Sequence, residues 1–194
     1  CSSPARESTP RAVSNNSVTD GAWCALTGWG GAQISASGNT FTGNAQSITL
    51  SGAGTVADLT SNTVTGDKAW AAVFLTGGPT VTLNDCQISG SAGFSIFACQ
   101  GSAVTLTGNT ITDSASTAIQ VMDEGTTATI EGNVISAVGT GIAVGDNVHA
   151  TVNNNSVTDG AWCALLGWGG AQISASGNTF TGNAQSITLS GAGT

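Results

Sequence analysis

Four oxygen-bearing side chains in two short turn-like segments are the candidates for metal chemistry in this chain. Asp123 and Glu124 lie in the first segment, and Asp146 and Asn147 lie 23 residues further on. If the chain repeats with that spacing, the four side chains fall at nearly the same turn of adjacent repeats. Because Ca²⁺ takes about six to eight oxygen ligands, these four residues are candidate calcium ligands. The alternative, that adjacent acids in a turn are simply solvated, stays open.

The five tryptophans are the candidates for contact with a ligand or a partner. Trp23, Trp70 and Trp162 occupy corresponding positions that we expect on the second strand of a repeat, with the ring pointing outward. Trp29 and Trp168 belong to the Gly-rich turn that follows. Exposed indole rings suit stacking on sugar faces or burial against another chain. The alternative is that the rings lie flat over glycines of their own repeat.

Three aspartates are candidates for hydrolase chemistry, which needs two carboxylates roughly 5 to 9.5 Å apart. They are Asp20, Asp113 and Asp159. In other repeats the same position holds glycine, namely Gly43, Gly66, Gly90 and Gly182. Aspartate and glycine both tolerate a left-handed backbone, so this alternation favours a turn over catalysis. We therefore assign no catalytic residue.

The composition restricts the partners of the chain. Lys and Arg total 3 against 11 acids, which gives a net charge of −8. Binding to a phosphate backbone depends on cationic surface, so nucleic acid is not an expected partner. Charged residues make up 7% of the chain, while Gly, Ser, Thr and Asn are abundant. These residues are poor helix formers.

The elements that must position these residues follow a period of about 23 residues. An x-apolar-Thr/Ser triplet recurs at spacings of 23, 23, 24, 23, 24, 22 and 23. It is preceded by Asn16, Asn39, Asn62, Cys86, Asn109, Asn133, Asn155 and Asn178. A longer repeat lies over the short one: residues 13–55 return at 152–194, with Asn153 in place of Ser14 and Leu166 in place of Thr27. A fixed period of this length is typical of solenoids.

Each repeat contains three short runs of alternating apolar and polar residues, as in Thr117–Val121, and this period of two predicts strands. The fold is predicted to be all-β: a parallel β-helix of about eight coils of 22–24 residues, about 40 Å long at 4.8 Å per coil. Residues 1–12 form a tail, and residues 13–194 form a single β-helix. One inward column is predicted to contain Val18, Phe41, Val64, Ile88, Ile111, Ile135, Val157 and Phe180. The asparagines are predicted to form a hydrogen-bonded ladder that Cys86 interrupts.

The segments Gly108–Thr112, with the sequence G-N-T-I-T, and Gly132–Ser136, with the sequence G-N-V-I-S, resemble repeats of the right-handed parallel β-helix, or pectate-lyase-like, superfamily. The resemblance covers residues 13–194 and implies a right-handed coil. It says little about function, because this superfamily includes polysaccharide lyases, glycoside hydrolases, epimerases, tailspikes, adhesins and non-catalytic surface proteins.

Resemblance to the lyases would imply a basic Arg or Lys beside acidic Ca²⁺ ligands. The cations of this chain are Arg6, Arg11 and Lys68. Two of them lie in the tail and the third in a turn, so we expect no cationic groove for a polyuronate. The resemblance is therefore to a non-catalytic member of the superfamily.

The cysteines could pack, pair or carry a lipid. Cys24 and Cys163 share a slot six coils apart, or about 29 Å, which is too far for a disulfide. We expect both to pack inward, in the slot that Ile48, Ile119 and Ile142 fill elsewhere. Cys86 and Cys99 remain a possible pair. The sequence from Cys1 onward resembles the mature end of a bacterial lipoprotein, so a lipid on Cys1 is the one expected link to a membrane.

The chain is therefore predicted to be a non-enzymatic, extracytoplasmic β-solenoid with a structural or adhesive role, displayed on the cell surface, anchored to the outer membrane or secreted. Its expected partners are other copies of itself, stacked end to end because open coils expose unpaired backbone groups, or a polysaccharide. A piece cut from a longer array of 139-residue units would explain the same ends. A carbohydrate-binding or carbohydrate-active protein is the alternative. Ice binding comes third, through an outward Thr-x-Thr row at Thr40/Thr42, Thr63/Thr65, Thr110/Thr112 and Thr179/Thr181.

Overall fold

The chain folds as a right-handed parallel β-helix, as predicted. The structure is a computed structural model that describes residues 10–194. Its 24 strands form three parallel sheets of eight strands each, so every coil contributes one strand to each sheet. Coil 1 contains β1–β3, coil 2 contains β4–β6, and the series continues to coil 8 with β22–β24. None of the described residues forms a helix that could cross a membrane.

The strands of each sheet succeed one another coil by coil. Sheet I contains β1 (Arg11–Ser14), β4 (Gln33–Ser37), β7 (Val56–Thr60), β10 (Thr80–Asn84), β13 (Ala103–Thr107), β16 (Thr127–Glu131), β19 (His149–Asn153) and β22 (Gln172–Ser176). Sheet II contains β2 (Ser17–Thr19), β5 (Thr40–Thr42), β8 (Thr63–Thr65), β11 (Gln87–Ser89), β14 (Thr110–Thr112), β17 (Val134–Ser136), β20 (Ser156–Thr158) and β23 (Thr179–Thr181). Sheet III contains β3 (Cys24–Trp29), β6 (Gln46–Ser51), β9 (Ala71–Thr76), β12 (Phe94–Ala98), β15 (Thr117–Val121), β18 (Thr140–Val144), β21 (Cys163–Trp168) and β24 (Gln185–Ser190).

The predicted inward column lies on sheet II. Its eight residues pair in register from Val18 through Phe180. The six central members are at most 2% exposed. The solenoid begins slightly earlier than predicted, because Arg11 and Ala12, which we placed in the tail, belong to β1.

The asparagine ladder is present on both sides of Cys86. Asn39 Nδ2 donates to Asn62 Oδ1 at 2.9 Å, and the backbone N–H of Asn39 donates to the same oxygen at 3.0 Å. The equivalent bond from Asn109 to Asn133 is also 2.9 Å long. At Cys86 the thiol instead donates to the carbonyl of Leu59 at 3.4 Å. The ladder is therefore interrupted where the sequence predicted.

The slot predicted for Cys24 and Cys163 was wrong by two residues. Leu26 pairs with Ile48, and Leu165 pairs with Ile142, so leucines hold that inward slot in the duplicated coils. Cys24 pairs with Gln46 at the start of the strand. The error has a local cause, because each strand of sheet III begins directly after a bend that is one residue long in some coils and two in others. Cys86 and Cys99, the possible disulfide pair, are both free thiols.

Candidate contact surface

Three tryptophans mark one edge of sheet III along the rod. Trp23, Trp70 and Trp162 are 82%, 47% and 51% exposed. They lie in the bends immediately before β3, β9 and β21, and not on the strands as predicted. Between coils, the backbone N–H of Phe94 donates to the carbonyl of Trp70, and the backbone N–H of Trp162 donates to the carbonyl of Gly139. The rings thus point outward, as expected, but they project from the bends between sheets II and III.

Trp70 belongs to an aromatic cluster, defined here as Trp70, Phe74, Phe94 and Phe97. The indole lies 4.8 Å from the rings of both Phe74 and Phe97, in edge-on geometry. Phe94 lies 5.1 Å from Phe97. Edge-on contacts of this kind contribute about 0.5–1.5 kcal/mol per pair beyond area burial. Trp70 is therefore held by its neighbours, while one face of the cluster stays open to solvent.

Sequence reasoning missed the three phenylalanines of this cluster. Phe74 and Phe97 are 23 residues apart and pair in register across β9 and β12. The period alone could have found this pair, because residues one repeat apart lie over one another. Phe94 carries no such signal: its register partner is Ala71. Its contact with Trp70 depends on the bend that precedes each strand.

The second set of tryptophans differs between the two duplicated segments. Trp29 ends β3 and is 68% exposed. Trp168 ends β21 and lies over Gly145 of the preceding coil, where a Cβ would clash with the indole. Both residues are strand termini and not turn residues as predicted. The ring of Trp168 thus packs against a glycine of the neighbouring coil and not of its own repeat, while Trp29 is exposed.

A shallow cavity adjoins Trp23. It is lined by Ala22, Trp23, Cys24, Ala45 and Gln46. The Nε2 of Gln46 is buried without a hydrogen-bond partner. The cavity thus combines an exposed indole with an amide whose nitrogen has no partner and whose Oε1 accepts from the Cys24 thiol at 3.7 Å.

The aspartates that alternate with glycine are turn residues. Asp20, Asp113 and Asp159 have φ of 50°, 56° and 55°, and the four glycines of the same slot have φ between 63° and 70°. This is the left-handed region, and the predicted turn is confirmed. Asp20 also receives a hydrogen bond from the Lys68 ammonium at 3.0 Å, and both side chains are largely exposed. An exposed pair of this kind contributes little stability.

The four predicted calcium ligands do not converge. Asp123 Oδ2 accepts a hydrogen bond at 3.3 Å from the backbone N–H of Gln100 in the preceding coil. The Oδ1 atoms of Asp146 and Asn147 lie against glycines of the following coil. Across residues 10–194, no three His, Cys, Asp or Glu side chains group as metal ligands would. The geometry adds no support for calcium, which stays a prediction.

The buried thiols of Cys86 and Cys99 are poor nucleophiles. Burial raises the pKa of Cys86, and hydrogen bonds from Asn62 offset that rise only in part. Burial also raises the pKa of Cys99. A thiol must ionise to attack or to bind a metal, so both residues act as packing groups. Cys1, with its predicted lipid, lies outside the described residues.

The structure is thus a β-solenoid with exposed tryptophans along one edge. The family model described as "Right handed beta helix region" matches residues 8–103 and 46–194. The chain belongs to this family. No curated protein and no solved structure matches the chain.

Proposed function

We propose that the chain is a non-enzymatic, extracytoplasmic rod with a structural or adhesive role, and that its tryptophan edge makes the contacts. The observation that carries this proposal is the set of exposed rings at Trp23, Trp70 and Trp162, along a surface with few charges. Large exposed apolar groups on a rigid body are typical of interaction sites. Self-association of such rods end to end is part of the same proposal.

The alternative is a carbohydrate-binding or carbohydrate-active solenoid that uses the same rings. It is favoured by the aromatic cluster, because an indole held edge-on by Phe74 and Phe97 presents a fixed face for a sugar. The buried Nε2 of Gln46, in the cavity beside Trp23, has no hydrogen-bond partner and would donate to a sugar hydroxyl if a small shift of the side chain exposed it. A protein contact and a sugar contact would therefore share this edge.

The test measures retention of the full chain on immobilised polysaccharides and on immobilised copies of itself. Trp23→Ala/Trp162→Ala and Trp70→Ala are expected to lose retention at least about tenfold, as loss of interface tryptophans does. Val134→Ala is the matched control, because Val134 is an exposed apolar residue on sheet II.

The outcomes separate the two functions. Retention on copies of the chain supports the adhesive rod, and retention on a glycan without turnover supports the carbohydrate binder. Release of reducing sugar would identify an enzyme and overturn the main proposal. Equal retention of the tryptophan variants and of Val134→Ala would overturn the role of the tryptophan edge.

A further inference from the structure

Sheet III presents a largely apolar outer face over coils 3–7, each of which has another coil on either side. The outward column of this sheet runs in register through Phe74, Phe97, Gln120, Ala143 and Leu166. All except Ala143 are half-buried, so their side chains reach solvent. Together with Trp70 and Trp162 in the bends beside it, this column forms the sheet III face. Its strands β9, β12, β15, β18 and β21 contain no charged residue.

The outer faces of sheets I and II are mostly polar over the same coils. The middle outward column of sheet I is in register through Thr82, Thr105, Thr129 and Thr151. Sheet II consists of three-residue strands whose outward residues are mostly Thr and Ser. Exposed threonine is ordinary on a strand, because its branched side chain fits a pleated surface. A run of aromatic and aliphatic side chains on an outer face instead marks an interaction surface.

The sheet III face is large enough for a weak contact between two proteins. Five coils at about 4.8 Å, with strands of five or six residues at about 3.3 Å per residue, give a face of about 24 by 18 Å. Two such faces in contact would bury on the order of 1,000 Å², which is the low end for a specific interface. Aromatic residues are enriched and charged residues depleted at the centre of such interfaces. The composition and the size of the face therefore both suit a reversible contact with another protein surface.

The outward column is complementary to itself about Gln120, its middle residue. A two-fold axis that crosses the rod in front of Gln120 brings coil 3 of one chain opposite coil 7 of a second copy, and coil 4 opposite coil 6. Phe97 of one chain then lies over Ala143 of the other, which is the smallest side chain of the column. Phe74 lies opposite Leu166 in the same way. Large side chains therefore meet smaller ones along the whole face.

The polar centre and the tryptophans of the face match themselves under the same axis. Across the described residues, the Gln120 side chain makes one hydrogen bond, from its Nε2 to the weak acceptor Met122 Sδ at 3.7 Å. An amide both donates and accepts, so two Gln120 side chains that meet on the axis can exchange two hydrogen bonds. Trp70 and Trp162 precede β9 and β21 at the same edge of sheet III. The axis therefore brings Trp70 of one chain to the edge where Trp162 of the other lies.

We propose that the sheet III face joins two copies of the chain side by side, in opposite directions, around a two-fold axis at Gln120. The inference rests on the contact role proposed for the tryptophan edge and names a second copy as its partner. The contact is isologous and closes as a dimer, so it is distinct from stacking end to end. An uncharged face is also where two rods of net charge −8 meet with least repulsion. Asp123 and Glu124 follow β15 and lie at the rim of the contact, where water and salt screen them.

Charges placed at Gln120 test the axis in the full-length chain. Gln120→Glu and Gln120→Lys each bring two like charges together on the axis, and each is expected to weaken the dimer at least about tenfold. An equimolar mixture of the two variants should restore association, because a carboxylate then meets an ammonium group. Thr105→Glu is the matched control, because Thr105 points outward from sheet I of the same coil and should leave association unchanged. Sedimentation velocity from about 1 to 100 μM chain measures all four samples.

The direction of pairing has its own test. Phe74→Lys mixed with Leu166→Glu is expected to associate at least about tenfold more tightly than either variant alone, because coil 3 of one chain faces coil 7 of the other. Leu166→Glu mixed with Leu166→Lys should gain nothing, because the two coils 7 lie at opposite ends of the contact. The reverse result would overturn the antiparallel arrangement. Circular dichroism checks that each variant keeps its β-sheet.

Three results would overturn the pairing. One is an unsubstituted chain that stays monomeric throughout the concentration range, and another is a mixture of Gln120→Glu and Gln120→Lys that associates no better than its components. The third is a Gln120→Glu chain that loses retention on a polysaccharide while its sedimentation is unchanged, which would assign the face to a glycan. Each result leaves the retention lost by the tryptophan variants to be judged by itself, so failure of the pairing is distinguishable from failure of the proposed function.

Discussion

The two copies of the 43-residue segment, at 13–55 and 152–194, have almost one sequence and two different environments. Coil 2 lies between two coils, and its apolar residues are buried. Coil 8 lies against coil 7 alone, and its Ile187 and Leu189 are more than half exposed. The strands themselves are the same length in both. The sequence of a coil thus specifies its conformation, whereas the neighbouring coils determine how much of it is buried.

One of the two differences between the copies, Ser14 against Asn153, fits its surroundings, and nothing in the structure explains the other, Thr27 against Leu166. Ser14 accepts a hydrogen bond from the Ser37 hydroxyl at 3.1 Å. Asn153, in its place, accepts from both the backbone and the hydroxyl of Ser176, at 3.1 and 2.8 Å. The asparagine therefore makes one more bond to the next coil. In a solenoid, stability is approximately the sum of such nearest-neighbour terms.

Among matched substitutions in the two copies, the equivalent isoleucines are expected to differ most in their effect on the free energy of unfolding. Ile48→Ala should lower the free energy of unfolding by about 2–5 kcal/mol, because it opens a cavity in a closed core. Ile187→Ala should cost less than about 1 kcal/mol, because the removed atoms are largely in water. Denaturant unfolding monitored by circular dichroism measures both. Equal losses would mean that coil 8 is covered in solution as coil 2 is.

A smaller difference is expected at the asparagine ladder. Asn39 bonds to Asn62 on one side and to the carbonyl of Val13 on the other. Its copy Asn178 bonds to the carbonyl of Val152 and accepts from Asn155. Asn39→Ala removes a buried amide and leaves its partners in both neighbouring coils unpaired, which should lower the free energy of unfolding by about 1–3 kcal/mol.

Asn178→Ala is the matched control, and it should cost less because one side of that amide faces no further coil. Thermal unfolding of the two variants, side by side, measures the contrast. If both variants unfolded at the same temperature, the ladder would contribute no more within the rod than at its end.

The sequence predicted the fold well because one signal was repeated eight times. Register in a solenoid follows from the period, so the sheet II column could be identified from spacing alone. The start of each sheet III strand could not be identified in this way, because the bend before it is one residue long in some coils, as at Ala45, and two in others, as at Ala69 and Trp70. Because of this irregularity, the predicted slot of Cys24 was wrong by two residues, and the tryptophans were predicted on strands although they lie in bends.

The contact surface was only partly predictable. Outward tryptophans followed from alternation, but the packing of Trp70 on Phe94 depends on how the corner turns. The calcium prediction assumed that side chains at one turn point to one place. In fact Asp123 faces the preceding coil and Asp146 the following one. Period fixes the height of a residue along the rod, but not the rotamer of its side chain.

Restoring the interrupted ladder between the two copies should stabilise the rod. Cys86→Asn would place Oδ1 within reach of the Asn62 backbone and its Nδ2 within reach of Asn109, as at the other rungs. The carbonyl of Leu59, which now accepts from the thiol, would accept from the new amide. We expect a gain of about 1 kcal/mol. Cys86→Ser is the control, because serine cannot span both bonds, and a gain equal to that of asparagine would exclude the ladder as its cause.

The smallest predicted effect concerns the slot that holds Asn44 in coil 2, Asp67 in coil 3 and Asn183 in coil 8. Burial raises the pKa of Asp67 above its usual value of 3.8, and the bonds from Ser47 offset this only in part. The folded state therefore binds the proton more tightly than the unfolded state. Asp67 thus lowers the free energy of unfolding least below about pH 3.8. This destabilisation grows as the pH rises through the raised pKa.

As the pH rises from acid to neutral, Asp67→Asn should therefore become more stable relative to the unsubstituted chain. The gain should stay below about 1 kcal/mol, because Ser47 loses part of its hydrogen bonding to the carboxylate.

The reverse change tests the comparison between the copies. Asn44→Asp buries a carboxylate beside the carbonyl of Val18 and should lose stability as the pH rises. Asn183→Asp makes the same change in the half-buried copy, where water offsets the cost. Urea unfolding across this pH range measures all three variants. A pH dependence as steep for Asn183→Asp as for Asn44→Asp would mean that coil 8 is as dry as coil 2, and hence that another coil covers it in solution.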